Sequence, residues 1–144
     1  IDWSAEGYDK LYQRITGKIR ENRKDICKTE GFYLEDAEEV IITYGSEVRP
    51  ALDAVEMARN NGLKIGLLKL ITVWPVAEEK IKEIAKNMSK VYALEMNIGK
   101  YSREIERLCL PYCNVESITK NRGIIHTQEE IYNIIKEGQK CQKR

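Results

Sequence analysis

The chain has 144 residues, the size of one ordinary domain with a sizeable core. Hydrophobic residues make up 42%, and 24 basic residues balance 23 acidic ones, so neither a nucleic-acid surface nor an acidic solvating tail is expected. No apolar run approaches the about 20 residues of a membrane span, so no membrane partner is expected.

The start, Ile1-Asp2-Trp3-Ser4, is polar and does not resemble a secretory leader. It opens with Ile rather than Met, so the chain is expected to be a piece of a longer polypeptide with a domain upstream. Residues 5–24 predict an amphipathic helix capped by Ser4, with Tyr8, Leu11, Ile15 and Ile19 on one face. The opposite face carries Lys10, Arg14, Lys18, Arg20 and Arg23. Gly7 and Gly17 weaken this helix, so it depends on packing, either on this domain or on the upstream one. Residues 25–39 are a connector in which Gly31-Phe32-Tyr33-Leu34 pairs as a short edge strand. The acidic run Glu35-Asp36-Ala37-Glu38-Glu39 is expected as a solvated turn.

The stretch from Val40 to Pro75 has the pattern of a βαβ unit. Val40 to Tyr44 is an apolar run broken by Gly45-Ser46. A helix-period segment follows, with Val48, Leu52, Val55 and Ala58 on one face, and Asn61-Gly62 ends it. A second, near-continuously apolar run, Ile65 to Ile71, fits a strand buried on both faces. Such strands lie parallel with a right-handed crossover. Two helix starts are compatible with the sequence: an N-cap at Ser46, or a loop to Arg49 with Pro50 as the first helical residue. Either start gathers backbone N–H groups after the first strand. That makes the Gly45-Ser46 turn a candidate anion site or simply a tight strand-to-helix turn.

Pro75 ends the second strand, and residues 77–88 predict a helix buried through Ile81, Ile84, Ala85 and Met88. Residues 90–95 predict a third strand, followed by Glu95-Met96-Asn97-Ile98-Gly99 and a helix through Tyr101, Ile105 and Leu108. Residues 115–119 predict a fourth strand. Thr127 to Glu130 is a capping box for a last helix with Ile131, Ile134 and Ile135 inward and Gly138 as its stop. The tail, residues 139–144, is polar and expected to fray. The fold class that results is α/β, a three-layer α/β/α arrangement around a mostly parallel sheet of four to five strands.

Ligands of such sheets bind beyond the carboxyl ends of the strands. Those ends carry the candidate binding or interface residues Gly45, Ser46, Trp74, Pro75, Glu95 and Asn97. By residue type Glu95 suits a base, Ser46 a donor, Asn97 an amide clamp and Trp74 a contact hot spot or a rim-packing side chain. No catalytic residue is assigned, because no Ser-His-Asp order, phosphate loop or metal set is present. The only histidine, His126, is expected to pack rather than react. Cys27, Cys109, Cys113 and Cys141 fit no zinc or cluster spacing. Free thiols of this kind indicate a reducing compartment, and a cytoplasmic location is expected.

Three series in this order resemble one family: Tyr44-Gly45-Ser46, the run from Gly62 to Pro75 that closes with Thr72-Val73-Trp74-Pro75, and Glu95-Met96-Asn97-Ile98-Gly99. They resemble the α subunit of the 2-oxoacid:ferredoxin oxidoreductases (2-oxoglutarate, 2-ketoisovalerate or pyruvate type). The match is to the domain after the pyrimidine-binding domain, which is similar to the C-terminal domain of transketolase. The resemblance is densest over residues 40–100 and looser to about residue 137, and it departs from the family pattern at Pro50 and Lys100. It implies residues 1–30 as a linker helix, 31–138 as the α/β domain and 139–144 as a tail. It implies a whole enzyme that oxidatively decarboxylates a 2-oxoacid, using thiamine diphosphate, Mg and iron–sulfur clusters, to make an acyl-coenzyme A. The implied partners are a thiamine-binding β subunit, γ and δ subunits, and ferredoxin. No cofactor is expected in this fragment, which is expected to brace assembly and to be inactive alone. Two other readings fit the pattern: the terminal domain of another thiamine enzyme, such as a 2-oxoacid dehydrogenase β subunit, or a free-standing anion- or nucleotide-binding module.

Overall fold

The computed structural model describes residues 4–142, with side chains to residue 139; the polar start and the last tail residues expected from the sequence lie outside that range. Five strands form one sheet in the order β1-β3-β2-β4-β5. They are β1 (Thr29–Phe32), β2 (Glu39–Tyr44), β3 (Ile65–Leu70), β4 (Lys90–Glu95) and β5 (Asn114–Thr119). β2, β3, β4 and β5 run parallel, while β1 pairs antiparallel with β3 at one edge. The helices are α1 (Ala5–Glu21), α2 (Arg23–Ile26), α3 (Val48–Asn60), α4 (Glu78–Ala85), α5 (Ser102–Cys109) and α6 (Gln128–Gln142).

The alternation of a strand explains the three layers. Val40, Ile42, Leu68, Leu70, Val91 and Ala93 point to one face and pack under α4 and α5 through Ile81, Ile84, Ala85, Ile105 and Leu108. Ile41, Ile65, Leu67, Tyr92 and Leu94 point to the other, under Ala51, Ala54, Val55 and Ala58 of α3 and Ile131 and Ile135 of α6. Small alanines line α3 where the sequence pattern places Val48 and Leu52, which are only half-buried. A helix presenting methyl groups sits close to the sheet, and its larger side chains flank the contact.

Several expectations are corrected by tertiary context. The edge strand begins at Thr29 and ends at Phe32, ahead of Tyr33, which turns the chain at a φ of 56°. Glu39 is no part of a solvated turn: it is the first residue of β2, between Ile65 and Lys90, and is 1% exposed. One of its carboxylate oxygens accepts from the Tyr92 hydroxyl at 3.2 Å. Neither proposed start of α3 is used. Gly45, at a φ of 63°, opens a tight turn through Glu47, and the regular helix begins at Val48. Pro50 then lies in the first turn, where no intrahelical partner for an N–H exists to be lost. Gly138 does not stop α6, which continues to Gln142. It serves close approach instead, because a Cβ there would lie 2.7 Å from both Lys90 Nζ and Tyr92 Oη.

Candidate functional site

The four parallel strands end together, at Tyr44, Leu70, Glu95 and Thr119, so their following loops line one edge of the sheet. The centre of that edge is a polar knot around Glu95. This carboxylate is 2% exposed and accepts five hydrogen bonds. Oε1 accepts from the Ser102 N–H at 2.9 Å and its hydroxyl at 2.6 Å. Oε2 accepts from the Tyr101 N–H at 3.0 Å, Asn97 Nδ2 at 2.6 Å and the Tyr44 hydroxyl at 3.2 Å. Glu95 therefore caps the N-terminus of α5, where a negative charge is favoured. Burial by itself would raise its pKa. The Ser102 hydroxyl and N–H, Asn97 and the Tyr101 N–H outweigh that and hold the carboxyl below its usual range. A carboxylate with its lone pairs so fully engaged is a poor base, so the geometry gives Glu95 a structural role.

Asn97 is a clamp, but on the protein itself. Its Nδ2 also donates to Tyr44 Oη at 3.0 Å, and its Oδ1 accepts from the Lys100 N–H at 2.8 Å. Tyr44 and Tyr101 meet edge to face at 5.2 Å, and the Tyr101 hydroxyl donates to the Val73 carbonyl at 3.0 Å. Burial, followed by the neighbouring Tyr44, pushes the Tyr101 phenol up to about 12. Through Tyr101 the knot reaches the β3–α4 loop, where Trp74 is 69% exposed and Pro75 is buried behind a cis peptide bond. The Cys27 thiol donates to the Pro75 carbonyl at 3.2 Å. Thus Glu95, Asn97 and the Trp74-Pro75 loop are brought into one bonded assembly.

Gly45 and Ser46 stand apart from the knot, exposed at the end of β2, and Ser46 makes no capping bond to α3. The next residue, Glu47, is buried with His126, whose Nδ1 lies 3.0 Å from Glu47 Oε1. This pair ties the β2–α3 turn to the segment before α6. His126 packs, as its position before the capping box implied.

Apart from Trp74, the sequence reading missed the exposed apolar side chains of this edge. Ile71, Val73 and Trp74 follow β3, Ile98 follows β4, and Ile124 and Ile125 follow β5, all exposed. Ile98 is 70% exposed. Ile71 was assigned to a buried strand because the apolar run continues through it; the strand ends at Leu70, one residue earlier. The partners of Glu95 were missed too, since Tyr44, Tyr101 and Ser102 reach it only by tertiary folding.

Among the described residues no group of three or more His, Cys, Asp or Glu side chains is arranged to hold a metal ion. The Cys109 thiol is buried and pushed up to about 12 by that burial and the neighbouring Cys113. Among the described residues Cys109 and Cys113 have no further thiolate or histidine grouped with them, so they do not make up the ligand set of an iron–sulfur cluster. No helix among the described residues is long and apolar enough to cross a membrane.

Solved structures share this architecture. A 2-oxoglutarate:ferredoxin oxidoreductase from Magnetococcus marinus matches with a TM-score of 0.77 and 24% identity, over 94% of this chain and 24% of that one. A split-gene transketolase matches with a TM-score of 0.64 and 17% identity, over 75% of this chain and 40% of that one. The fold is thus that of the α/β domain shared by these oxidoreductases and the C-terminal part of transketolase. The model of pyruvate:ferredoxin oxidoreductase core domain II matches residues 37–131, and the chain belongs to that family. Among curated relatives, the 2-oxoglutarate synthase subunit KorA of Methanocaldococcus jannaschii is 41% identical over 90% of this chain and 35% of its own length. The KorA subunit of Methanothermobacter marburgensis is 36% identical over 92% of this chain, and a ketoisovalerate oxidoreductase subunit VorB from the same organism is 33% identical. The chain spans about a third of the length of these relatives.

Proposed function

We propose that this chain is the second core domain of the α subunit of a 2-oxoacid:ferredoxin oxidoreductase, and that its carboxyl edge braces domain and subunit assembly rather than doing chemistry. The observation that carries the reading is the gathering of Ile71, Val73, Trp74, Ile98, Ile124 and Ile125 on loops of one sheet edge, beside a rigid core of bonded Glu95. Exposed apolar side chains grouped this way mark a surface that another body covers. A fixed, pre-organised loop loses little entropy when it is covered. Residues 1–30 serve as the linker helix and 31–138 as the bracing domain, although Thr29 and Glu30 already pair in the sheet.

In the whole enzyme, thiamine diphosphate, Mg, iron–sulfur clusters and coenzyme A would be handled mainly by other domains and by β, γ and δ subunits, with ferredoxin as the electron acceptor. A cytoplasmic location fits the free Cys27, Cys109 and Cys113. The relatives act on 2-oxoglutarate and ketoisovalerate by name, so a 2-oxoacid is the substrate class.

The test is Trp74→Ala in the whole enzyme. Native mass should show weakened assembly while the melting temperature of the subunit stays close to that of the wild type. Normal assembly combined with a much lower melting temperature would sink the bracing role and make Trp74 a packing residue.

A further inference from the structure

β5 is the last strand of the sheet and pairs only with β4. The backbone groups of a strand alternate sides. The Lys120 N–H donates to the Glu95 carbonyl at 3.2 Å, so the even-numbered residues of this segment are the ones turned toward β4. Val115, Ser117 and Thr119 therefore turn their N–H and C=O groups away from the sheet. Among the described residues no backbone hydrogen bond reaches these outward groups. The strand holds no proline, and its single charged side chain, Glu116, is drawn onto Lys90. Two common means of blunting a sheet edge are thus not in use.

The space alongside is open. Two grooves, of about 620 and 400 Å³, run along β5 beside α6 and meet at Glu116 and Ile134. An added strand would complete this edge, and the side chains of β5 show which strand fits. Two copies of β5 that pair antiparallel must bring outward residues opposite outward residues, which leaves three central registers. With Glu116 opposite itself, like charges meet. With Ser117 opposite itself, Glu116 faces Ile118. With Ile118 opposite itself, Glu116 of each copy faces Lys120 of the other, and Ser117 faces Thr119. Glu116, Ile118 and Lys120 all lie on the α6 side: Ile118 clusters with Ile131 and Ile135, Glu116 sits near Gly138, and Lys120 bonds Glu130. The third register therefore sets opposite charges and matched apolar groups directly across from one another, and the other two do not.

We propose that β5 is an interface strand, pairing antiparallel with β5 of a second copy of this chain about a two-fold axis at Ile118. The two five-stranded sheets then form one sheet of ten strands. Ser117 and Thr119 of each copy exchange backbone hydrogen bonds with Thr119 and Ser117 of the other, so the outward groups of both residues are satisfied. The contact is isologous, as a two-fold interface requires, because one short segment supplies both the acidic and the basic side chain. It lies on the flank of the sheet, not on the carboxyl edge that carries Trp74, and does not depend on the bracing role of that edge.

The experiment uses the whole polypeptide that carries this chain, in its assembled enzyme. Chains with Ser117→Cys are co-expressed with chains with Thr119→Cys; both positions are exposed. A copper–phenanthroline oxidant then takes two electrons and two protons from each facing pair of thiols as the S–S bond forms. The Cα atoms of a hydrogen-bonded antiparallel pair stand about 5.5 Å apart, within reach of a disulfide. The expected result is a linked pair of chains, joined from position 117 to position 119 by mass spectrometry, at a yield about tenfold above either variant alone. No link, a link to a different subunit, or an equal link in Ser117→Cys chains alone would each overturn the proposal. Adding Thr119→Pro to the Ser117→Cys chain removes an outward N–H and leaves the β4 ladder whole, so it should cut the link about tenfold at an unchanged melting temperature. Thr119→Val in the same place keeps the N–H and should keep the link; equal yields from the two would count against strand pairing.

Discussion

At the residue scale, Glu95 joins more of the site than any side chain predicted to act there. Its five donors come from the end of β2, the β4–α5 loop and the head of α5, so one carboxylate fixes three pieces of backbone. Glu95→Gln keeps the shape but places an NH2 among donors. It should cost about 2–3 kcal/mol near neutral pH, measured by urea unfolding. The pH dependence follows from the lowered pKa. The folded value lies below the unfolded one of about 4.3, so the stabilisation is complete above the unfolded value and is lost as pH falls through the folded value. The gap between wild type and Glu95→Gln should therefore close in acid; a gap that stayed constant to the lowest pH would contradict the charge-based account. Cys109 supports a second residue-scale prediction. Burial pushes its thiol up to about 12, so iodoacetamide at neutral pH should leave it unmodified in the native protein and label it only on unfolding.

At the element scale, two glycines show how closely the layers approach. A Cβ on Gly66 of β3 would lie 2.8 Å from the Tyr33 carbonyl oxygen and 2.9 Å from a Leu34 methyl. Backbone cannot retreat as a side chain can, so Gly66→Ala should cost about 1–3 kcal/mol, read as a lower melting temperature. Gly138 of α6 sits against Tyr92, whose hydroxyl is held on buried Glu39. Alanine there would gain about 1 kcal/mol of helix propensity, yet the clash should reverse the sign and leave the variant less stable. A more stable Gly138→Ala would mean that Lys90 and Tyr92 swing aside freely. The stripes of α4 and α5 were legible because each buries its apolar positions on the sheet, while that of α3 was legible only in part, since Ala51 and Ala54 face the sheet in place of Val48 and Leu52. The stop of α6 was not, because a glycine needed for close approach looks the same in sequence as one that ends a helix.

At the scale of the whole molecule, the distribution of exposed apolar residues separates folding from assembly. Ile98 contributes little to the core, so Ile98→Asp should change stability by less than about 0.5 kcal/mol. In the whole enzyme the same change should reduce assembly, as seen by native mass; a variant that assembles fully would remove Ile98 from the interface.

The alternation of strands and helices along the chain, a mostly parallel sheet and the layered class followed from sequence alone. Apolar runs of strand length alternate with helix-period stripes, and that pattern admits few topologies. Glu95, Asn97 and Trp74 could be placed on one edge for the same reason, since a parallel sheet collects its strand ends. Only the tertiary structure decided what they do there. Ser102 lies seven positions after Glu95, and Tyr44 lies 51 before it; nothing in that spacing says that their hydroxyls meet one carboxylate. Likewise Glu39 reads as a solvated charge until neighbouring strands and Tyr92 enclose it, and nothing in the sequence signals that Glu47 is buried against His126. Local patterning determines which segments are strands and helices, because backbone hydrogen bonding and burial repeat with fixed periods. The pairing of polar groups is set by where those segments pack, and that has no period to read.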